Sequence, residues 1–233
     1  MSSYSVASPY NTETIYQDLR EGILSLKYKP GQLLSENAIA AAYQVSRSPI
    51  RAVFSRLANE NLLMILPQKG SYVTLIDYDF IREIIYMRTL VERDILKQAA
   101  ASCDDKLIKN LESNLRKQHR LADLGSRADH ERYYQIDNEF HQICFRHVGR
   151  DLLWQILQEH QVHYRRFRML DILSQQILSK LVDEHELIAQ VISSGDTNKL
   201  DQLIEEHLVN GLHRIEQLVM TEHPDYFYSS NSN

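Results

Sequence analysis

The chain has 233 residues, of which 43% are hydrophobic and 24% charged, and its 7 glycines and 5 prolines are too few for a loop-rich all-β fold. No apolar run approaches the roughly 18 residues of a membrane span, the first residues lack the segments of a signal peptide, and the 2 cysteines lack a disulfide framework, so we expect a cytoplasmic protein with no membrane partner. The net charge of −5 is uneven, since residues 1–76 carry 7 Lys/Arg against 5 acids while the remainder is acidic, which indicates two separate tasks.

Residues 1–11 show no periodic pattern, and we expect them to be disordered. Apolar residues at helical spacing predict a first helix over 12–27, with Thr12 as its N-cap, and the turn "YKPGQ" ends it. Ser35 caps a second short helix, and a third helix begins after the connection "QVS". The stretch "LLMILPQKGSYVTLI" then places two β-prone runs around a turn, which predicts a hairpin. Three helices followed by a hairpin predict a winged helix-turn-helix over residues 12–76.

The third helix carries the residues expected to read double-stranded DNA. In a helix-turn-helix the N-terminal end of the recognition helix enters the major groove, and that end holds Arg47, Ser48 and Arg51. Arginine can donate two hydrogen bonds to one guanine, and a hydroxyl such as that of Ser46 can bind a phosphate or a base edge. Two arginines alone are as often a solvated helix face, but the turn before them and the hairpin after them favour a DNA reader.

The hairpin tip adds Lys69 and Gly70, which are placed to approach the DNA backbone or the minor groove. The "VSRSPIR" core, the "RLANENLL" run and the "PQKGSYV" wing resemble the DNA-binding domain of the GntR family of bacterial transcription regulators. The resemblance implies DNA contacts from Asn37, Ser46, Arg47, Ser48, Arg51 and Gly70. Asn37 stands where many relatives carry arginine, and Asn61 stands where glycine usually ends the recognition helix, although asparagine also tolerates the left-handed conformation.

From residue 77 to residue 222 the pattern is helical, and residues 223–233 are expected to form a flexible tail. The predicted helices lie near residues 79–102, 104–124, 129–147, 150–173, 175–194 and 197–220. The resulting fold class is mainly α, with an N-terminal winged helix-turn-helix and a C-terminal all-helical bundle.

Three helices of this bundle carry a histidine on an apolar stripe. Asp137 and His141 lie one turn apart, and His185 and His207 are each in line with the leucines and isoleucines of their own helices. The stripe of Asp137 also carries His130, Tyr134 and Cys144. A single such histidine is most often a hydrogen-bonded core residue, but three of them beside an aspartate suit a divalent metal with one or two open positions. Zinc is the first expectation, with nickel, manganese or iron as alternatives.

This pattern resembles the FCD ligand-binding domain of the FadR branch of the same family, in which many members bind a metal and a small organic acid. The resemblance implies four metal ligands: Asp137, His141, His185 and His207. "YMRTLVERDILKQAA" resembles the first helix of that domain, and its Arg88 matches an arginine that often faces the pocket and can pair with a carboxylate. The alternative for Arg88 is an ion pair with Glu92, one turn later. Tyr134 is the second candidate contact for an effector.

The leading hypothesis is a ligand-responsive transcription regulator with no catalytic residues. It would bind a pseudo-palindromic operator as a homodimer, because one winged helix reads only a half-site. The alternative is a metal-dependent hydrolase with a nucleic-acid-binding domain, because a metal with an open position can activate water. A third reading gives the metal a purely structural role.

Overall fold

The structure is a computed structural model that describes residues 10–159, 161–173 and 177–228, apart from the side chains of residues 126, 214–215 and 217–221. Predictions for residues 1–9, 160, 174–176 and 229–233 fall outside these ranges. The described residues form two compact units. The first consists of residues 10–77 and 224–228, and the second of residues 78–223.

The first unit is a winged helix-turn-helix, as predicted. Its elements are α1 (Thr12–Leu24), β1 (Leu33–Leu34), α2 (Glu36–Tyr43), α3 (Arg47–Asn59), β2 (Leu63–Leu66) and β3 (Gly70–Val73). The strands form one antiparallel sheet in the order β1-β3-β2. Helices α1 and α3 contact each other and bury Ile15, Leu19, Phe54 and Leu57 completely, which follows from the helical spacing of these residues.

Several local features of this unit differ from prediction. Asn11, and not Thr12, caps α1, because its side-chain oxygen accepts a hydrogen bond of 2.7 Å from the Thr14 amide. The two-residue strand β1, in which Leu33 pairs with Tyr72, was not predicted because so short a run has no measurable alternation. Asn61 does adopt the expected left-handed conformation, with a φ of 57°.

The residues after the last long helix were predicted to form a flexible tail, but residues 224–228 have a defined place in the first unit. A 3₁₀ turn spans Pro224–Tyr226. The Ile76 amide then donates a hydrogen bond of 2.8 Å to the Tyr226 carbonyl, and Phe227 forms a parallel bridge with Ile76. These backbone bonds, together with the burial of Tyr226, explain why the chain does not fray directly after residue 223.

The second unit is all-helical. Its helices are α4 (Tyr78–Ala101), α5 (Asp105–Ala122), α6 (His130–His147), α7 (Asp151–Glu159), α8 (Val162–Leu173), α9 (Ile177–Ser194) and α10 (Thr197–Glu222). None of the helices in the described part of the chain is both long and apolar enough to cross a bilayer.

The single helix predicted over residues 150–173 is two helices, α7 and α8. Helix α7 buries only Trp154 and Leu157, whereas α8 buries Arg166, Arg168 and most of its other residues. Helix α7 ends at Glu159 and α8 begins at Val162. Helix α8 contacts α4, α6, α9 and α10 and therefore lies at the centre of the bundle.

Candidate DNA-reading surface and metal centre

The helix-turn-helix connection presents the beginning of α3 to solvent. Gln44 ends α2 in the left-handed conformation, with a φ of 54°, and so redirects the chain. Ser46 is the N-cap residue of α3, but its hydroxyl makes no capping hydrogen bond. The hydroxyl of Ser46 therefore lies beside a helix N-terminus that favours a phosphate.

All seven residues predicted to contact DNA are exposed on the first unit. An open groove of about 470 Å³ is lined by Asn37, Arg47, Arg51, Lys69 and Gly70. The two remaining candidates, Ser46 and Ser48, lie at the beginning of α3. The fold thus brings the tip of the wing and the arginines of α3 to one surface, and the role of each residue in DNA binding stays a prediction.

Sequence reasoning missed one acidic residue on this surface. Glu36 begins α2, and one of its carboxylate oxygens accepts hydrogen bonds from both Arg47, at 3.2 Å, and Arg51, at 3.1 Å. Partial burial raises the pKa of Glu36, but the hydrogen bonds from Arg51 and Arg47 lower it, and the net direction is below the ordinary value of 4.5. The two arginines predicted to contact DNA therefore share one acidic partner.

The second unit brings the three predicted histidines together. His141 of α6, His185 of α9 and His207 of α10 are all buried, and each can offer one ring nitrogen to a group whose members lie within 4.8 Å of one another. Two imidazole nitrogens on a tetrahedral zinc ion are about 3.3 Å apart, given a Zn–N distance of about 2.0–2.1 Å. The three rings are therefore close to the spacing that a divalent metal requires.

Asp137 lies beside this histidine cluster but is engaged elsewhere. Its Oδ1 atom lies 3.9 Å from His185 Nε2 and accepts a hydrogen bond of 2.9 Å from Arg168 Nη2. Burial raises the pKa of Asp137, whereas the charge of Arg168 and the nearby His185 lower it, and the net direction is downward. Asp137 can join a metal held by the histidines only if it shares this carboxylate with Arg168.

Each of the three histidines has its Nδ1 atom beside an oxygen acceptor. Nδ1 of His141 lies 2.8 Å from Glu92 Oε2, Nδ1 of His185 lies 2.8 Å from Gln118 Oε1, and Nδ1 of His207 lies 2.8 Å from Glu184 Oε2. Spacing within one helix cannot reveal these partners, because each pair joins two different helices. The nitrogen that remains for a metal is Nε2.

Two observations fit a divalent cation at this point. Nε2 of His185 is buried and has no hydrogen-bond partner within the described part of the chain, which leaves an unsatisfied lone pair. Burial, followed by the influence of neighbouring groups such as His141 and Arg168, lowers the pKa of His207 to about 3, and burial above all lowers that of His185 well below 6.5. Both rings are therefore neutral and can act as ligands.

Neither predicted effector contact lines the small cavity beside the histidine cluster. Arg88 is buried, with Nε donating a hydrogen bond of 2.6 Å to Glu92 Oε1, so the structure contains the ion pair that the sequence offered as the alternative. The ring of Tyr134 lies 5.2 Å from the Arg165 guanidinium. The cation that lines the cavity is Arg168, which sequence reasoning missed because it lies two helices away from the Asp137 stripe.

The cavity itself measures about 10 Å³ and is lined by Ile85, Asp137, His141, Tyr164, Phe167, Arg168, Asp171, His207, Leu208 and Gly211. This is about the volume that a single water molecule needs. The space suits an ion, whereas an organic acid beside the ion would require the lining side chains to move.

Two family models match the chain. The model for bacterial regulatory proteins of the gntR family matches residues 11–73, and the model for the FCD domain matches residues 83–210. An HTH-type transcriptional regulator from an unstable DNA locus of Streptomyces ambofaciens is 31% identical over 198 residues, which cover 85% of this chain and 82% of the relative. The HTH-type transcriptional repressor RspR of Escherichia coli K12 is 27% identical over 94% of each chain.

Among solved structures, the crystal structure of a transcriptional regulator GntR from Rhodococcus sp. RHA1 is similar, with a TM-score of 0.68 and 19% identity over 88% of this chain and 97% of that chain. At this identity the similarity shows the fold alone. The two family matches and the curated relatives indicate a transcription regulator and not an enzyme. The chain therefore belongs to the gntR family of bacterial regulatory proteins, and its helical unit contains an FCD domain.

Proposed function

We propose that this regulator senses a small organic acid at a divalent metal held by His141, His185 and His207, with Asp137 as the fourth ligand. The observation that carries the proposal is the convergence of three buried imidazoles from three helices, with one Nε2 atom left unsatisfied. Imidazole suits zinc, nickel and iron, and among these zinc is the first expectation.

The effector part of the proposal rests on charge and on space. A metal with an open position attracts a carboxylate, and Arg168 adds a second cation at the same cavity. Because the cavity of about 10 Å³ admits no organic acid, effector binding selects a conformation with a larger cavity. A ligand with different affinities for two conformations can shift DNA affinity, and such couplings are typically about 1–3 kcal/mol.

The DNA-reading part assigns residues 12–76 to a half-site of a pseudo-palindromic operator. Arg47 and Arg51 would contact base edges, while Ser46, Ser48, Asn37 and the wing contact the backbone. Residues 77–222 would bind the metal and the acid and form the homodimer, in the bacterial cytoplasm.

The first test combines metal content with DNA binding. The purified full-length protein is analysed for bound metal, and its mobility shift with DNA from upstream of its own gene is measured at low salt. The proposal expects about one zinc-class ion per chain and a specific shift. His185→Ala should lose the ion, whereas His213→Ala, which changes an exposed histidine of α10, should retain it.

Each negative result removes a separate part of the proposal. Absence of a shift at low salt, with or without candidate acids, would contradict DNA reading by this chain. A protein that takes up no divalent metal, or one in which His185→Ala and His213→Ala behave alike, would contradict the metal centre.

A further inference from the structure

The histidine cluster is surrounded by three side chains that come from three different elements. Glu92 of α4 faces His141, Gln118 of α5 faces His185, and Glu184 of α9 faces His207. In each case a side-chain oxygen lies 2.8 Å from the Nδ1 atom of the ring. The three contacts share this distance, although two of the partners are acids and one is an amide.

An oxygen acceptor at this distance determines which ring nitrogen carries the proton. Carboxylate and amide oxygens only accept hydrogen bonds, so a neutral imidazole beside them carries its proton on Nδ1 and keeps its lone pair on Nε2. His207 and Glu184 form such a hydrogen bond. At His141 the two atoms are within ion-pair distance, but Glu92 Oε2 has no hydrogen bond of regular geometry.

Gln118 could in principle present its amide nitrogen to His185 instead of its oxygen. Its Nε2 atom, however, donates a hydrogen bond of 2.7 Å to Asn114 Oδ1, and Asn114 Nδ2 donates one of 3.0 Å to the Ile136 carbonyl. This chain of donors and acceptors leaves only Oε1 of Gln118 for His185. The buried polar residues of α5 therefore set the tautomer of a histidine on α9.

We propose that Glu92, Gln118 and Glu184 are positioning residues, each of which fixes one histidine as the Nδ1–H tautomer so that all three Nε2 lone pairs face one ion. The proposal rests on the metal centre proposed above and deepens it. Partners of this kind orient metal-bound imidazoles and raise their basicity, and their loss commonly lowers metal affinity by about 10- to 100-fold.

The competing interpretation is that these contacts only connect helices of the core. Both interpretations expect a loss of stability when a partner is removed, so stability cannot separate them. The tautomer of the ring and the affinity for metal do separate them, because loss of a purely structural contact would alter neither quantity in a variant that remains folded.

Glu184 allows the sharpest design because α9 carries a second acid that contacts a histidine outside the cluster. Glu186 of α9 faces the half-buried His119 of α5, with Oε1 at 2.6 Å from Nε2, and its contacts are remote from the histidine cluster. Glu184→Met removes the acceptor at similar length, Glu184→Gln keeps an oxygen acceptor, and Glu186→Met is the control. Gln118→Met repeats the test at His185.

The experiment measures zinc affinity by competition with a chromophoric chelator, using the full chain, and the tautomers of the metal-free protein by long-range ¹H–¹⁵N NMR of the imidazoles. We expect Glu184→Met and Gln118→Met to bind zinc about 10- to 100-fold more weakly. Glu184→Gln should stay within about threefold of the wild type, and Glu186→Met should be unchanged. His185 and His207 should be Nδ1–H tautomers in the wild type, and the affected ring should lose this preference in each Met variant.

The outcomes separate the two proposals. If the wild type binds zinc and the variants Glu184→Met, Gln118→Met and Glu186→Met all bind it with equal affinity, the positioning role is overturned and the metal centre remains. A wild type that binds no zinc would overturn the metal centre. If the Met variants do not fold, the wild-type NMR spectrum decides, since Nε2–H tautomers at His185 and His207 would overturn the positioning role.

Discussion

Arg51 and Glu36 are joined across the helix-turn-helix by a hydrogen bond of 3.1 Å, in which Arg51 Nε donates to the carboxylate oxygen that also accepts from Arg47. Glu36 of α2 thus contacts both of the α3 arginines that are predicted to bind DNA. A guanine or a phosphate that binds these guanidinium groups must share them with Glu36 or replace it.

Replacing Arg51 by alanine should weaken binding to the upstream DNA. A bidentate arginine–guanine contact contributes about 1–3 kcal/mol of discrimination, so we expect the loss to fall in this range and to relax specificity. The measurement is fluorescence anisotropy with specific and scrambled duplexes. Arg116→Ala on α5, which removes an exposed arginine paired with Glu112, is the control. Equal affinities for the two variants would refute the assignment.

The ion pairs of Glu36 also predict a pH dependence. Its pKa is below 4.5 in the folded chain, so their contribution to stability is fully present above about pH 4.5 and is lost as the pH falls through the folded pKa. We expect the side-chain ¹³C shift of Glu36 to titrate below 4.5 in the wild type and closer to 4.5 in Arg51→Ala. A wild-type midpoint at or above 4.5 would mean that the arginines do not hold this acid.

Gly70 should be intolerant of a side chain at the tip of the wing. Its φ is +116°, far from the left-handed value near +57° that other residues can adopt, and a Cβ atom there would also displace the end of the exposed Leu33 side chain. We expect Gly70→Ala to destabilise the wing by about 1–3 kcal/mol. Gly31→Ala, with a φ of +77° that is closer to this left-handed value, should cost less, about 1–2 kcal/mol. Hydrogen exchange of the β2 and β3 amides measures the stability of the wing in each variant. Equal protection factors in Gly70→Ala and Gly31→Ala would contradict the predicted difference.

Arg168 should contribute strongly to the stability of the metal-free helical unit. It donates hydrogen bonds to the buried carboxylates of Asp137, at 2.9 Å, and Asp171, at 2.6 Å. Removing one partner of a buried ion pair typically costs about 3–5 kcal/mol, because the remaining charge is uncompensated. We expect such a loss for Arg168→Met in urea unfolding.

The control for Arg168→Met is Arg146→Met, which removes an arginine that is 63% exposed and lies 3.4 Å from Asp151. An exposed pair contributes about 0–1 kcal/mol. If Arg168→Met and Arg146→Met lose similar amounts of unfolding free energy, burial of the Arg168 ion pairs does not affect stability.

Metal removal should lower the melting temperature of the helical unit reversibly. A ligand that binds only the folded state stabilises it by about 2.7 kcal/mol at a free concentration of 100 times its Kd. We expect zinc to raise the midpoint of the chelator-treated wild type and of His213→Ala but not that of His185→Ala. A helical unit that is unfolded without metal would instead support the structural reading of the ion.

Sequence periodicity predicted correctly those features that depend on one helix alone, such as which of its residues are buried. Ile15 and Leu19 are fully buried on α1, and His141, His185 and His207 lie on the buried faces of their helices, as the apolar stripes predicted. Asn61 adopts the left-handed conformation because glycine and asparagine tolerate it best at a helix end.

The features that sequence reasoning missed depend on contacts between elements. Glu92, Gln118 and Glu184 approach the histidines only because α4, α5, α9 and α10 are packed around the same centre, and no spacing within one helix encodes that arrangement. The pairing of Arg168 with Asp137 joins α8 and α6 for the same reason. The break between α7 and α8 has no glycine or proline to mark it in the sequence.

The most direct test of the central proposal is one anisotropy titration of upstream DNA with zinc-loaded protein, repeated across a panel of small carboxylic acids. The account predicts salt-dependent specific binding that at least one acid changes by about 5-fold or more, with the change lost in His185→Ala and retained in His213→Ala. DNA affinity that no acid alters, or an acid response that survives in His185→Ala, would contradict sensing at the histidine cluster.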